Sequence, residues 1–362
     1  MRSIKLGVVG CGAIAQIQHL PNLAALREEF EVTMVCDRSP ALAEHVAKEF
    51  HLPRHTTDYR ELLESDVEAL ILCHTDPKAE VAVAAFSAGK NVFIEKPMCF
   101  SLKEADTIIA AAQKSGKVGQ VGYMKVYDPA FEIAKREVDA MKAVRFVQVN
   151  HLHPDNSLHV GQFRVKRFDD IPASVTEEVQ AARNVALRDA IGDVPGHVER
   201  TFFILAGSMI HDLYGLRVML GVPSTVVSTE IWNEGRAITT VLEYESGARC
   251  VATWIDLPRL WDFKETLKVY DDNKRVILSY PTGFARGILS TVAVYGIDAD
   301  GTTFRKEPAV AWESAFVREL RHFHECITRG TPTRTSVASA RGDVALIIDI
   351  VKSYMAHRPI AR

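Results

Sequence analysis

The sequence predicts an α/β chain in two parts, a doubly wound parallel sheet over residues 1–123 and then an α/β part with a mainly antiparallel sheet over residues 124–362. Three observations predict it. Apolar β-branched runs alternate with helical stretches as far as Tyr123, and a glycine turn follows the first of these runs. Beyond Tyr123 the texture changes to consecutive strand-like runs, some separated by tight turns.

In the first part, KLGVVG leads into a helical stretch at Ala13–Leu26, EVTMVCD into Pro40–Phe50, and ALILCH into Pro77–Ala88. A short run near Arg54–Thr57 adds a strand between the last two. NVFIEK leads into Ser101–Lys114, and VGQVGY closes the series. Runs that are apolar throughout are buried on both faces, as in a parallel sheet, and their alternation with helices gives βαβ units.

The second part opens with a helical stretch (Asp128–Val138) and a strand-like run, VRFVQVNHLH. A polar, irregular stretch runs from Pro154 to about Val175, and helical pattern returns at Thr176–Arg188 and Glu199–Leu220. STVVSTEIW, AITTVLEY, ARCVATWI, TLKVYD and KRVILSY then read as strands, with turns such as Glu234-Gly235 and Ser246-Gly247. Consecutive strands with tight turns suit antiparallel pairing. Helices near 313–328 and 336–356 finish the chain.

Composition excludes several classes. With 47% hydrophobic and 25% charged residues the chain is ordinary globular protein, and 362 residues exceed one ordinary core. A net charge of −3 without a basic block points to neither nucleic acid nor an anionic membrane. The six cysteines, at 11, 36, 73, 99, 250 and 326, form no CxxC pair, which suits a reducing, cytoplasmic setting. The apolar start resembles a signal core, but the strand-and-glycine-turn reading continues into the residues that follow. Thr201–Leu220 is apolar, yet His211, Asp212 and Arg217 interrupt it, so it reads as a buried helix.

The first chemical motif is Gly10-Cys11-Gly12-Ala13-Ile14-Ala15, a G-x-G-x-x-A turn between a strand and a helix. Gly10 permits the tight turn, Gly12 lets backbone approach a pyrophosphate, and Ala15 keeps the helix near the sheet. Gly10, Gly12, Ala13 and Ile14 are the expected cofactor contacts. Asp37 ends the next strand, 25 residues beyond Gly12, where a carboxylate accepts ribose hydroxyls and repels a 2′-phosphate. NAD is therefore expected over NADP, although Arg38 and Ser39 follow immediately and are able to bind such a phosphate. Arg38 is itself a candidate cofactor contact. Glu95-Lys96-Pro97 ends the fifth strand, and ligands of open α/β sheets bind beyond the carboxyl ends of strands. An ammonium there is placed to stabilise charge on a substrate oxygen, and Glu95 and Lys96 join the cofactor-binding candidates.

With these motifs in place, the chain resembles the Gfo/Idh/MocA oxidoreductases, the family of glucose–fructose oxidoreductase and inositol dehydrogenase. The resemblance rests on GCGAIA (Gly10 to Ala15), AGKNVFIEKP (Ala88 to Pro97), GYMKVYDP (Gly122 to Pro129) and IHDLYGLRVMLGVP (Ile210 to Pro223), and extends over essentially the whole chain. It implies an N-terminal Rossmann domain, a C-terminal α/β domain with an open, largely antiparallel sheet, and an active site in the cleft between them. It makes Lys96 catalytic and places the family's acid/base histidine on His211. Two departures stand out. Gly207 occupies the place of an aspartate usually four residues before that histidine, and Lys78 stands where the family often has a His after the fourth strand.

On the substrate side, the resemblance puts Lys125 and Tyr127 beside the ligand. His151 and His153 share one face of a strand, with Asp155, Asn156 and His159 following, a polar cluster suited to a sugar. His153, Asn156 and His211 are the substrate-binding candidates with Lys125 and Tyr127. The same histidines resemble metal ligands, but no tight spacing demands an ion and hydride transfer to NAD needs none, so no metal is expected. His322 and His324 read as structural. The four tryptophans, Trp232, Trp254, Trp261 and Trp312, read as core or interface.

The expected activity is hydride transfer between NAD and a secondary alcohol of a sugar, glycoside or cyclitol, with C3 of a glycoside ring as the finer expectation. An imine or dihydrodiol-type reductase of the same family and a non-catalytic NAD-binding regulator are the rivals. The expected partner is a small polyhydroxylated substrate, with no nucleic acid or membrane, in a homo-oligomer.

Overall fold

The computed structural model describes residues 2–75 and 77–357. Two compact units form, the first from Met1–Tyr123, Val160–Gly192 and Phe316–Val344, the second from Met124–His159, Asp193–Ala315 and Ala345–Arg362.

The first unit holds a six-stranded parallel sheet in the order β3-β2-β1-β4-β5-β6. Its strands are β1 (Ile4–Val9), β2 (Phe30–Cys36), β3 (Arg54–Thr56), β4 (Ala69–Leu72), β5 (Asn91–Glu95) and β6 (Gly119–Gly122). Sequence order reverses direction at β1 and β4, the switch point beyond which such sheets bind ligands. The helices are α1 (Leu20–Ala25), α2 (Pro40–Glu49), α3 (Tyr59–Glu64), α4 (Ala79–Ser87) and α5 (Leu102–Ser115). Their ends follow local chemistry. Ser39 caps α2 by accepting from the Leu42 amide with Pro40 at the first position. Ser101 and Glu104 form a reciprocal capping box on α5, which stops at Gly116 in left-handed conformation. The apolar strands are buried on both faces, with Ile4, Leu6, Val8, Ile71 and Phe93 all fully covered.

Two segments distant in sequence complete this unit. The irregular stretch after His153, read from sequence as part of the second region, joins the first unit from Val160 to Gly192 and contains the helix Ala173–Ile191. The amphipathic helix Ala315–Arg329 packs Leu320 and Phe323 into the same core, with the Phe323 ring 5.7 Å edge-on from Phe93.

The second unit is built on an eight-stranded sheet in the order β14-β13-β12-β11-β7-β10-β9-β8. These are β7 (Phe146–His153), β8 (Thr225–Trp232), β9 (Ala237–Glu243), β10 (Arg249–Asp256), β11 (Lys264–Tyr270), β12 (Lys274–Tyr280), β13 (Thr291–Ile297) and β14 (Thr303–Lys306). Pairing is antiparallel except between β7 and β10. Alternate residues such as Val147, Val149 and His151 are buried, and Gln148 and Asn150 between them are half-exposed. A continuous helical rod covers Gly196–Leu220, widened to a π-turn at Leu205–Met209. It is long and apolar enough to cross a membrane, yet over half of its most apolar window is buried within the fold.

Candidate active site

The glycine turn follows β1. Gly10 has φ +93°, and a Cβ there would lie 2.3 Å from the His74 amide nitrogen, so only glycine fits. Gly12 has open space around its missing Cβ, and its carbonyl accepts the Gln16 amide as the helix begins. The Ala13 and Ile14 amides therefore belong to a helix start, where an anion is favoured. Asp37 ties the turn to β2, one carboxylate oxygen accepting the Cys11 amide at 2.7 Å and the other the Ser39 amide at 2.9 Å.

A cavity of about 230 Å³ opens here, lined by Gly10, Gly12, Asp37, Arg38, His74 and Ile171 among others. Neither ring nitrogen of His74 has a hydrogen-bond partner among the described residues, although both are buried. Burial, with Lys78 nearby, pushes its imidazole down to about 3, so it stays neutral. An open cradle at Gly12, a ribose-accepting carboxylate and orphaned ring nitrogens fit a dinucleotide. Asp76, in the loop after β4, lies outside the described residues.

At the end of β5, Glu95 is buried and meets His19 Nε2 at 2.6 Å through one oxygen, while the other accepts the Lys96 amide at 3.0 Å. Burial is the largest single influence on the Glu95 carboxyl and pushes it up, but the His19 hydrogen bond and the charges of His19, Lys96 and Lys78 together hold it below the usual range. Lys78, itself buried, donates from Nζ to the Pro97 carbonyl at 3.0 Å. Both flanks of Lys96 are thus anchored, and Lys96 itself is half-buried. Beneath lies Glu319, fully buried, neither carboxylate oxygen having a hydrogen-bond partner among the described residues. Burial and the Glu95 charge push its carboxyl well above the usual range, so it keeps its proton. His19, Glu95 and Glu319 present their ligand atoms within 4.8 Å of one another, a donor set of metal-binding type.

In the second unit, His211 follows the π-turn and is half-buried. Its Nδ1 lies 2.7 Å from the Tyr214 hydroxyl, which also accepts the Lys125 amide at 3.2 Å. Gly207 is exposed in the π-turn. Asp212 is buried and meets His151 Nδ1 at 2.7 Å, and His151 Nε2 reaches His153 Nδ1 at 3.3 Å. Lys125 is buried too, its ammonium paired with Glu265 and lying 4.8 Å from the Tyr280 ring centre. His151, Asp212 and Glu265 form a second trio within 4.8 Å, with the Lys125 ammonium as their cation. Burial is the main reason that the Asp212 carboxyl rises to about 7, despite Lys125. Tyr127 is buried in the core, His153 stacks on Trp254 at 5.4 Å, and Asn156 is exposed.

A family model described as "Oxidoreductase family, NAD-binding Rossmann fold" (GFO_IDH_MocA) matches residues 4–123. The scyllo-inositol 2-dehydrogenase (NAD(+)) of Bacillus subtilis (strain 168) is 24% identical over 349 residues, 92% of this chain and 89% of that protein. The inositol 2-dehydrogenase of Salmonella typhimurium is 33% identical over 155 residues, spanning 42% of this chain and 46% of its own length. Over residues 4–123 the chain matches the Gfo/Idh/MocA oxidoreductase family. It carries that family's NAD-binding unit. Two solved structures share the fold. The UDP-N-acetylglucosamine 3-dehydrogenase of Acidithiobacillus ferrooxidans has a TM-score of 0.74 at 20% identity over 98% of this chain and 99% of that one. A levoglucosan dehydrogenase bound to NADH has a TM-score of 0.76 at 17% identity over 98% of each chain.

Sequence reasoning missed His19, Glu319, Tyr214 and Asp170, and found in Lys78 only a departure. His19 sits in a π-turn at Ala15–His19, an irregularity that periodicity does not announce. Glu319 is an acidic residue at an interior helical position, a signal legible only once the buried face of its helix is known. Of the tryptophans Trp254 is core; Trp261 and Trp312 are 82% exposed and Trp232 is 42% exposed, which leaves interface as the half of the reading that applies to those three. His322 and His324 are structural as expected, accepting the Arg334 amide and bonding the Arg2 carbonyl.

Proposed function

We propose that this chain oxidises a secondary alcohol of a sugar, glycoside or cyclitol to the ketone, and runs the reverse reduction when ketone is supplied. The chemistry that NAD supplies when bound is acceptance of a hydride from the carbinol carbon. Lys96 hydrogen-bonds the substrate oxygen and offsets the negative charge that builds on it. His211 removes the hydroxyl proton, with Tyr214 orienting the ring in place of the aspartate absent at Gly207. The products are ketone, NADH and a proton.

The observation that carries this reading is the anchoring of Lys96. Its amide is bound to Glu95, Glu95 to His19, and the next carbonyl to Lys78, at the carboxyl end of a strand in an NAD-binding unit. A surface lysine needs no such bracing; a group that must meet a reacting atom does. Lys125, with Tyr127 and His151 behind it, serves as rigid support, and His153 and Asn156 face the ligand. The relatives named for inositol and the fold-mates named for UDP-N-acetylglucosamine and levoglucosan support a cyclic polyol. Among these the preferred substrate is a glycoside oxidised at C3.

The test is NADH formation from NAD⁺ across methyl glycosides, free aldoses and inositols, with the oxidised carbon located by NMR. Turnover fastest with a glycoside and a 3-keto product is the expected result. Turnover with inositols alone removes the C3 assignment, and turnover with none of the panel removes the alcohol reading.

A further inference from the structure

Sequence left one question about the cofactor open, because Arg38 and Ser39 follow Asp37 where a 2′-phosphate would be read. The side chain and backbone there are already engaged. Ser39 is buried at the N-terminus of the ten-residue helix α2. Its hydroxyl donates to one oxygen of Asp170, and the Ala41 amide donates to the other at 2.9 Å. Asp170 comes from the segment that enters the first unit at Val160. That segment is pinned nearby by a reciprocal pair. The Lys166 amide donates to Gln16 Oε1 at 2.9 Å, and Gln16 Nε2 donates to the Lys166 carbonyl at 3.0 Å. Phe168 adds a ring contact with His45 at 6.0 Å, and the residue after Asp170, Ile171, lines the cavity.

We propose that Asp170 is a specificity-determining residue that excludes NADP by occupying, with its own carboxylate, the donors a 2′-phosphate would need. An adenosine phosphate beside Asp37 would look for a hydroxyl, amides at a helix start and a cation. The Ser39 hydroxyl and the Ala41 amide are the first two of these, and both already point at Asp170. The phosphate would also meet a second carboxylate beside Asp37, and two like charges at close range repel. The Ser39 and Ala41 hydrogen bonds hold the Asp170 carboxyl below its usual range, so the negative charge persists at neutral pH. Arg38, exposed and lining the cavity, is left to pack against the adenine rather than to bind phosphate.

This inference concerns cofactor binding alone, so its test uses no sugar and stands or falls apart from the alcohol reading. The probes are NAD⁺, NADP⁺, and the fragments 5′-ADP and 2′,5′-ADP, titrated calorimetrically into wild type, Asp170→Asn and Asp37→Asn. Wild type should bind NAD⁺ more tightly than NADP⁺. Asp170→Asn should narrow the ratio roughly tenfold or more by tightening NADP⁺ and 2′,5′-ADP, with NAD⁺ within about threefold of wild type. An unchanged ratio in Asp170→Asn overturns the proposal. So does equal weakening of both cofactors, which would make Asp170 a brace of the segment only. Asp170→Ser puts the same question if the amide variant fails to fold, with the same two outcomes.

Discussion

The hydroxyl of Tyr214 lies 2.7 Å from Nδ1 of His211, one helical turn along the same rod, and holds the ring by a neutral group rather than a carboxylate. The Lys125 amide donates to that hydroxyl, which leaves the phenol proton to point at Nδ1. Tyr214→Phe should lower kcat by ~10-fold and displace the acid limb of the kcat/KM profile. NAD⁺ affinity should stay unchanged. A variant with the wild-type pH profile would show that Tyr214 only fills space.

The two glycines of the turn should fail in different ways. Gly10→Ala forces a Cβ to 2.3 Å from the His74 nitrogen at φ +93°, so the fold itself should weaken, by ~1–3 kcal/mol or more. Gly12→Ala meets nothing within 4 Å, so its melting temperature should match wild type while NAD⁺ binding falls. Thermal melts paired with calorimetry check both; intact NAD⁺ binding in Gly12→Ala would remove the pyrophosphate from that position.

Below Lys96, the buried trio should respond unequally to neutralisation. Glu319 already carries its proton, so Glu319→Gln should change stability by less than ~1 kcal/mol. His19→Ala strands the Glu95 charge in a buried site and should cost ~3–5 kcal/mol. Urea unfolding of the pair measures this. Equal losses would show that Glu319 is ionised or holds a cation, and divalent-ion titration would then separate those two states.

Asp212 makes stability depend on pH in a direction opposite to that of ordinary carboxylates. Its carboxyl rises from 3.8 to about 7 in the fold, chiefly through burial, so the folded state holds the proton more tightly than the unfolded chain. The resulting stabilisation is complete below the unfolded value and is lost as pH climbs through the folded one. The full shift corresponds to ~4 kcal/mol. Asp212→Asn should therefore gain on wild type between about pH 4 and about pH 7. Denaturant midpoints that run parallel for the two proteins would contradict this.

How much of this was legible follows from which forces are local. The six parallel strands rest on apolar runs and the glycine turn and stand as read, whereas their order in the sheet was not read. The helical stretches read at Pro40–Phe50 and Ser101–Lys114 end within a residue of α2 and α5, whose caps at Ser39, Ser101 and Gly116 emerged only with the structure. The strands Thr291–Ile297 and Thr303–Lys306 were not singled out; their pattern is short and their partners are each other and β12. The membership of Val160–Gly192 and Phe316–Val344 in the first unit was hidden for a different reason. It depends on pairs such as Asp170 with Ser39 and Gln120 with the Glu319 carbonyl, separated by more than a hundred residues. At the site, Lys96 and His211 were marked by motif. Their supports, His19 and Tyr214, were not, since a buried histidine and a buried tyrosine look like core until their partners are placed.

The most direct measurement is single-turnover NADH formation by wild type and Lys96→Ala, each first shown by calorimetry to bind NAD⁺ equally. The account predicts that Lys96→Ala keeps NAD⁺ affinity and loses ~10³-fold in the rate of hydride transfer. A variant that binds NAD⁺ and turns over polyol at the wild-type rate would contradict it.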